Sequence, residues 1–398
     1  MRQPKFSGRP GEVQQALRKQ DPNARLAPNN EQGSGELVVF KDLTADGKDE
    51  AIFCYTVPEG GSDDSALYLA IYAGAGDDWE PLLRPALLGD KEVFRLDCRI
   101  ADGQPAAILL ERSDSKARFV TVYALPSTVA PQSDLVSLCD LQCSLYRETD
   151  LNSDGYADIA FIYQRQENGK FVSQVGAFLQ TLPGQPYAAT ALTDISEATS
   201  SAAGFIPGYL RDGSAGLYVD LGVDNGYQQD AYSTAVFAFD EQSNALQTVF
   251  GPGSFPRSNA VASRDINSDG IIDVPADIPI PGSSVSWVDG KTHTLSFTAF
   301  YSIDAEGSAE LLENHRFYFD SKQYVNFPPN MPGKVTVSGT SDDLQFGLAE
   351  TGEKLFSINI NYGNTGQLTF NTAVYKEDEA LFDSKLSFLQ ELRTDGDP

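Results

Sequence analysis

The chain has 398 residues, 41% of them hydrophobic, enough to bury a sizeable core in one large domain with an appendage or in two to three compact domains. Its charge is lopsided: 56 Asp and Glu stand against 29 Lys and Arg, for a net charge of −27. A surface of that sign repels phosphate backbones and anionic lipid headgroups, so nucleic acid and electrostatic membrane docking are disfavoured, and a cation is the natural counterpart.

No apolar run reaches 18 residues, so no transmembrane helix is expected. Met1-Arg2-Gln3-Pro4-Lys5 leads into polar sequence without an apolar stretch, so the chain reads either as cytosolic or as a mature form whose export segment has been removed. Cys54, Cys98, Cys139 and Cys143 do not make a disulfide-dense scaffold. The last two lack C-x-x-C spacing and a companion metal pair, which predicts buried free thiols, with a local Cys139–Cys143 bridge as the alternative.

Residues 1–35 are polar and broken by Pro and Gly, with one short helix predicted: Pro10 suits its first turn, and Val13, Ala16 and Leu17 form its apolar stripe. From Glu36 the texture becomes β. Leu37-Val38-Val39-Phe40, Ala51–Tyr55, Leu67–Tyr72 and Phe119–Tyr123 are short apolar runs separated by Gly, Pro, Asp, Asn and Ser, the pattern of a sandwich, barrel or propeller.

Three stretches between such runs share one nine-residue template: Asp42-Leu-Thr44-Ala-Asp46-Gly47-Lys48-Asp-Glu50, Asp150-Leu-Asn152-Ser-Asp154-Gly155-Tyr156-Ala-Asp158, and Asp265-Ile-Asn267-Ser-Asp269-Gly270-Ile271-Ile-Asp273. Degenerate copies keep only the Asp-Gly pair, at Asp102-Gly103 and Asp212-Gly213. Gly47, Gly103, Gly155, Gly213 and Gly270 are thus spaced 52 to 58 residues apart. A period in the fifties with several short strands per unit predicts an all-β, propeller-like array of about five recognisable blades over residues 36–326.

Pro328-Pro329-Asn330-Met331-Pro332-Gly333 suggests a boundary, and 327–398 reads as a β-rich segment with runs at 334–337, 355–360 and 368–370. A terminal helix is predicted after Asp383, with Leu386, Leu389 and Leu392 on one face. Whether this segment is a last blade or a separate α+β element is open at this stage, with a separate element favoured.

The template places oxygen side chains at positions 1, 3, 5 and 9 and glycine at position 6, where a sharp turn needs positive φ. Calcium takes six to eight hard oxygen ligands, and the position-7 carbonyls of Lys48, Tyr156 and Ile271 would add to the shell. Without a cation, so many oxygens in nine residues repel one another and raise their own pKa values. A plain Asp/Asn/Gly turn is the simplest alternative, but three copies in register weaken it. An EF-hand fails because position 12 is Phe53, Phe161 or Ala276 and the flanks are strands. Magnesium suits an all-protein oxygen cage less well.

D-x-N-x-D-G-x-x-D between two strands at blade spacing resembles the FG-GAP/VCBS-type repeats of integrin-α-like β-propellers, over roughly residues 36–325. The resemblance implies calcium held by Asp42, Thr44, Asp46 and Glu50, by Asp150, Asn152, Asp154 and Asp158, and by Asp265, Asn267, Asp269 and Asp273, with the Thr44 site the weakest. It also implies an exported or cell-surface protein, tethered through a removed signal or a lipid anchor.

Catalytic signatures for nucleophilic hydrolysis, zinc proteolysis, and phosphate or dinucleotide binding are absent from the sequence. His293 and His315 read as ordinary strand residues, and Trp79, Trp287 and the tyrosines as core more than as a sugar platform. The expectation is therefore a monomeric, non-enzymatic calcium protein that binds a protein or glycan. The alternative is a carbohydrate-active hydrolase using a pair of carboxylates on the same scaffold.

Overall fold

The computed structural model describes residues 8–27, 38–58, 65–74, 78–89, 92–99, 107–113, 118–167, 170–182, 184–198, 200–224, 229–286, 292–320, 322–362, 368–376 and 393–394. Asp102, Gly103, Leu37, Trp287 and the predicted helix after Asp383 lie outside these residues. Within them the protein is nearly all β, with several antiparallel sheets, none closed into a barrel, and one helix. Among the described residues no helix is long and apolar enough to cross a membrane.

The helix spans Arg9–Gln20, with Pro10 in its first turn, Glu12 near its N-terminus and Arg18 and Lys19 in its last turn, charges that complement its dipole. Its buried stripe of Val13, Ala16 and Leu17 joins Leu26, Phe53, Tyr72 and Trp79 in one cluster, which makes Trp79 a core residue. Gln14 Oε1 accepts the Leu26 N–H at 3.2 Å, satisfying a buried amide where the chain leaves the helix.

The sheets follow one another along the chain. The first gathers strands between Arg25 and Gly89, the second between Glu92 and Cys143, the third between Leu145 and Ala198, and the fourth between Ser200 and Phe250. In the second, the order is Val136–Cys143, Arg118–Ala124, Ala107–Ser113, Glu92–Arg99. The interior strand Ala107–Ser113 is buried along its length, whereas the outermost, Val136–Cys143, alternates buried and exposed residues from Cys139 onward. In this sheet the strand buried on both faces lies inside and the alternating one at the margin, with Glu111 and Arg112 as buried polar residues of the inner strand.

The fifth sheet runs Val274–Pro279, Ser296–Ile303, Ala309–Tyr318, Gln323–Asn326 and Arg393–Thr394. The sixth takes Ser284–Ser286 and Thr292–His293 from before residue 327 and pairs them with strands between Val335 and Val374. Its one parallel pairing sets Val285 beside Gly339. Phe327, placed by the sequence reading at the start of the C-terminal segment, is buried among Phe297, Phe317, Phe346 and Phe356, so this core draws on both sides of it. His293 and His315 lie in strands.

Two compact units divide the chain: residues 1–164 with 176–191, and residues 165–175 with 192–398. All four cysteines belong to the first, buried and unbridged. Cys139 and Cys143 sit in one strand. Four residues of extended chain separate their Cα atoms by about 13 Å, roughly twice the reach of a disulfide. The local bridge is thereby excluded.

Candidate metal loops

Each complete template leads into a β-strand, and the first two each link paired strands of one sheet. Asp42–Glu50 lies between Val38–Lys41 and Glu50–Pro58, and Asp150–Asp158 between Leu145–Thr149 and Asp158–Glu167. Asp265–Asp273 lies inside an Arg264–Asp273 bridge that opens onto Val274–Pro279. The degenerate Asp212-Gly213 falls at the corresponding place in the fourth sheet, between Ser200–Tyr209 and Ala215–Asp224. Asp102-Gly103 falls between Glu92–Arg99 and Ala107–Ser113 in chain order.

One hydrogen-bond pattern repeats in the three complete loops. The position-1 carboxylate accepts the glycine N–H: Asp42 from Gly47 at 2.9 Å, Asp150 from Gly155 at 2.9 Å, and Asp265 from Gly270 at 2.8 Å. Its other oxygen accepts the N–H of position 5, at 3.2, 3.1 and 3.2 Å. The position-5 carboxylates of Asp46, Asp154 and Asp269 accept the N–H of Lys48, Tyr156 and Ile271 at 2.8, 2.9 and 2.8 Å. Position 3 bonds within the loop: Asn152 and Asn267 donate to Asp154 and Asp269 at 2.9 Å, and Thr44 to Glu50 at 3.4 Å. Backbone at positive φ makes the turn possible, with φ from 83° to 86° at the three glycines and 55° to 63° at Ala45, Ser153 and Ser268.

Position 9 closes each loop. Glu50 Oε2 accepts the Leu43 N–H at 2.7 Å, Asp158 Oδ2 the Leu151 N–H at 2.9 Å, and Asp273 Oδ2 the Ile266 N–H at 3.1 Å. These three side chains are buried, whereas the position-5 carboxylates are exposed. Burial pushes all three acids up, Asp158 to about 6 and Asp273 to about 7, against the pull of their backbone N–H partners and with help from the loop's other carboxylates. The remaining oxygens differ. Asp158 Oδ1 accepts the Gln180 N–H at 2.8 Å, while Asp273 Oδ1 has no hydrogen-bond partner among the described residues.

Sequence reasoning read position 9 as a ligand and missed its backbone bonds; the apolar residue at position 2, whose N–H it takes, is the signal that was available. The carboxylates turn towards backbone amides, and among the described residues no three His, Cys, Asp or Glu side chains converge as a metal-holding group. The donor chemistry still suits a hard cation. Positions 1, 3, 5 and 9 of each loop supply three carboxylates and one amide or hydroxyl oxygen, and a carboxylate oxygen that accepts one N–H keeps a second lone pair. The unpartnered, fully buried Asp273 Oδ1 makes the third loop the best fit of the three.

The fourth turn keeps only Asp212 of the template acids, and the neighbouring Arg211 makes its main contacts. Arg211 reaches Asp304 at 2.5 Å, Glu310 at 2.8 Å and Ser308 Oγ at 3.2 Å, and Asp212 Oδ2 accepts the Ala305 N–H at 3.0 Å.

No known protein family matches the chain, and no curated protein matches it. Among solved structures, two of the α-L-arabinofuranosidase from Fusarium graminearum with an iminosugar inhibitor, one of them a mutant, resemble it with 11% sequence identity and a TM-score of 0.24. They cover 88% of this chain and 96% or 95% of their own. A likeness at that TM-score decides neither fold nor chemistry.

Proposed function

We propose that this protein is a non-enzymatic, calcium-binding, propeller-like interaction module of the cell surface or extracellular space. The observation that carries the reading is the recurrence of one acid-rich hydrogen-bond pattern in three loops, each of which leads into a strand of a different sheet. Consecutive sheets of four or more strands, together with the 52 to 58 residue spacing of the glycines, support a propeller-like array of blades. In this reading Asp42, Asp46, Glu50 and Thr44 hold one calcium ion, Asp150, Asn152, Asp154 and Asp158 a second, and Asp265, Asn267, Asp269 and Asp273 a third. The carbonyls of Lys48, Tyr156 and Ile271 add to the shells. The bound cation offsets the mutual repulsion of the carboxylates and stiffens turns that present a protein or glycan partner with a fixed surface.

The test is thermal unfolding of the full chain in excess chelator and in millimolar calcium, with magnesium as control. A ligand bound only by the folded state adds about 2.7 kcal/mol per site at a hundredfold excess over its dissociation constant. A calcium-specific rise in Tm is expected. An unchanged Tm, together with no metal retained on purification, rejects the reading.

A further inference from the structure

Behind the third loop the fifth sheet carries a polar gap. The register pairs Val274 with Tyr301. One residue further on each segment stand Asp273 and Ser302, which antiparallel geometry sets side by side on one face with Cβ atoms about 5 Å apart. Asp273 is 0% exposed and Ser302 3%. Asp273 Oδ2 is engaged by Ile266, but Asp273 Oδ1 and Ser302 Oγ both lack a hydrogen-bond partner among the described residues. Buried oxygens are almost always satisfied, so two orphans at neighbouring positions point to a missing bridging species. Next along this face Phe300 pairs across the sheet with Glu313, which is ion-paired to Arg316. The other loops have no such gap: Asp158 uses both oxygens on backbone N–H groups, and Glu50 uses one on Leu43 and Thr44 N–H and the other on the Thr44 hydroxyl.

We propose that the third loop's cation site extends onto the fifth sheet, with Asp273 Oδ1 and Ser302 Oγ as its inner donors. The proposal rests on the calcium reading and goes beyond it by adding a ligand from outside the nine-residue template. A carboxylate and a hydroxyl are both hard donors suited to calcium, and a shell completed by backbone and Asn267 oxygens does not require three converging acids. The third site is then the tightest of the three, because it alone gains a protein oxygen from a neighbouring strand.

Calorimetric calcium titration of the full chain separates the possibilities. Ser302→Ala removes the oxygen, and Ser302→Cys replaces it with a soft sulfur of similar size that calcium disfavours. Both are expected to weaken the tightest binding step about tenfold while the remaining steps and the calcium-free Tm hold. Two variants that fold as wild type and bind with wild-type constants would overturn the extension while leaving the calcium reading intact, the gap then holding only water. A wild-type chain that binds no calcium overturns both.

Discussion

Arg257 and Asp220 form an ion pair sealed from solvent, with Nη2 2.8 Å from Oδ1 and side-chain exposures of 1% and 4%. The pair is embedded in hydroxyls and amides. Thr234 and Ser263 donate to Asp220 Oδ1 at 2.7 and 2.8 Å, the Ser263 N–H donates to Oδ2 at 2.9 Å, and Arg257 Nη1 donates to Thr234 at 2.9 Å. The network pins the segment around Arg257 and Ser263 to the strands that carry Asp220 and Thr234. Removing one charge strands the other in a medium that solvates it poorly. Asp220→Ala and Arg257→Met are each expected to destabilise the protein by about 3–5 kcal/mol. The double variant should lose far less than the sum of the two. Calorimetric melting of all four proteins checks this, and additive losses would contradict a coupled pair.

The thiols give a second prediction. Burial pushes Cys54, Cys98, Cys139 and Cys143 up to about 12, and none is bridged. At pH 8 a thiol-specific chromogenic reagent is expected to find no reactive cysteine in the native protein and four in urea, without added reductant. Two missing thiols in urea would mean that a disulfide forms after all.

Asp158 joins the two ends of its loop to the residue that follows the strand Lys170–Leu179, through Leu151 and Gln180. Its role therefore persists without metal. In chelator, Asp158→Ala is expected to cost about 2 kcal/mol or more, because two buried N–H groups lose a charged acceptor. The exposed Asp154 holds only its own turn, so Asp154→Ala should cost much less in chelator but abolish calcium binding at the second loop. Equal costs for the two variants in chelator would refute the distinction, as would an unchanged calcium stoichiometry for Asp154→Ala.

His315 supplies a pH dependence. Burial holds its imidazole below the ordinary value, with Glu313 acting upward and Arg316 downward, and Nδ1 has no hydrogen-bond partner among the described residues. A depressed folded pKa means that the neutral form is the one the fold accepts. Its contribution to stability is present above the unfolded pKa of about 6.5 and is lost as pH falls towards the folded value. The melting temperature of wild type should therefore drop more between pH 7 and pH 5 than that of His315→Gln. The difference between the two profiles isolates the imidazole from buried acids such as Asp158, whose raised pKa acts in the opposite sense. Parallel profiles would dismiss the role given to His315.

Much of this architecture is legible in the chain because it is local. Ala51–Tyr55, Leu67–Tyr72 and Phe119–Tyr123 all lie inside observed strands, and the spacing of the Asp-Gly turns follows the succession of sheets. The helix at Arg9–Gln20 is readable from Pro10 and one apolar stripe. What escapes is long-range. Asp220 and Arg257 are 37 residues apart and look like any two surface charges until the fold brings them together. Gln180 lies 22 residues from Asp158, and no periodicity announces that its amide will need that carboxylate. The sixth sheet recruits Ser284–Ser286 across Phe327 by a parallel pairing, which short apolar runs cannot signal. Ser302 was invisible for the same reason, since a serine in a strand carries no mark of the residue it will face.

Arg211 has a consequence for how the protein meets changing surroundings. The positive charge at the fourth turn is covalently part of the chain, so its local concentration is fixed by geometry. It cannot be diluted, exchanged or sequestered, and no secretion into an ion-poor medium empties it. Ionic strength can screen it, because its carboxylate partner Glu310 is exposed, but cannot remove it. If the three acid loops hold calcium as proposed, the fourth turn and those loops answer to different variables of the environment, one to total salt and the others to the supply of a particular ion.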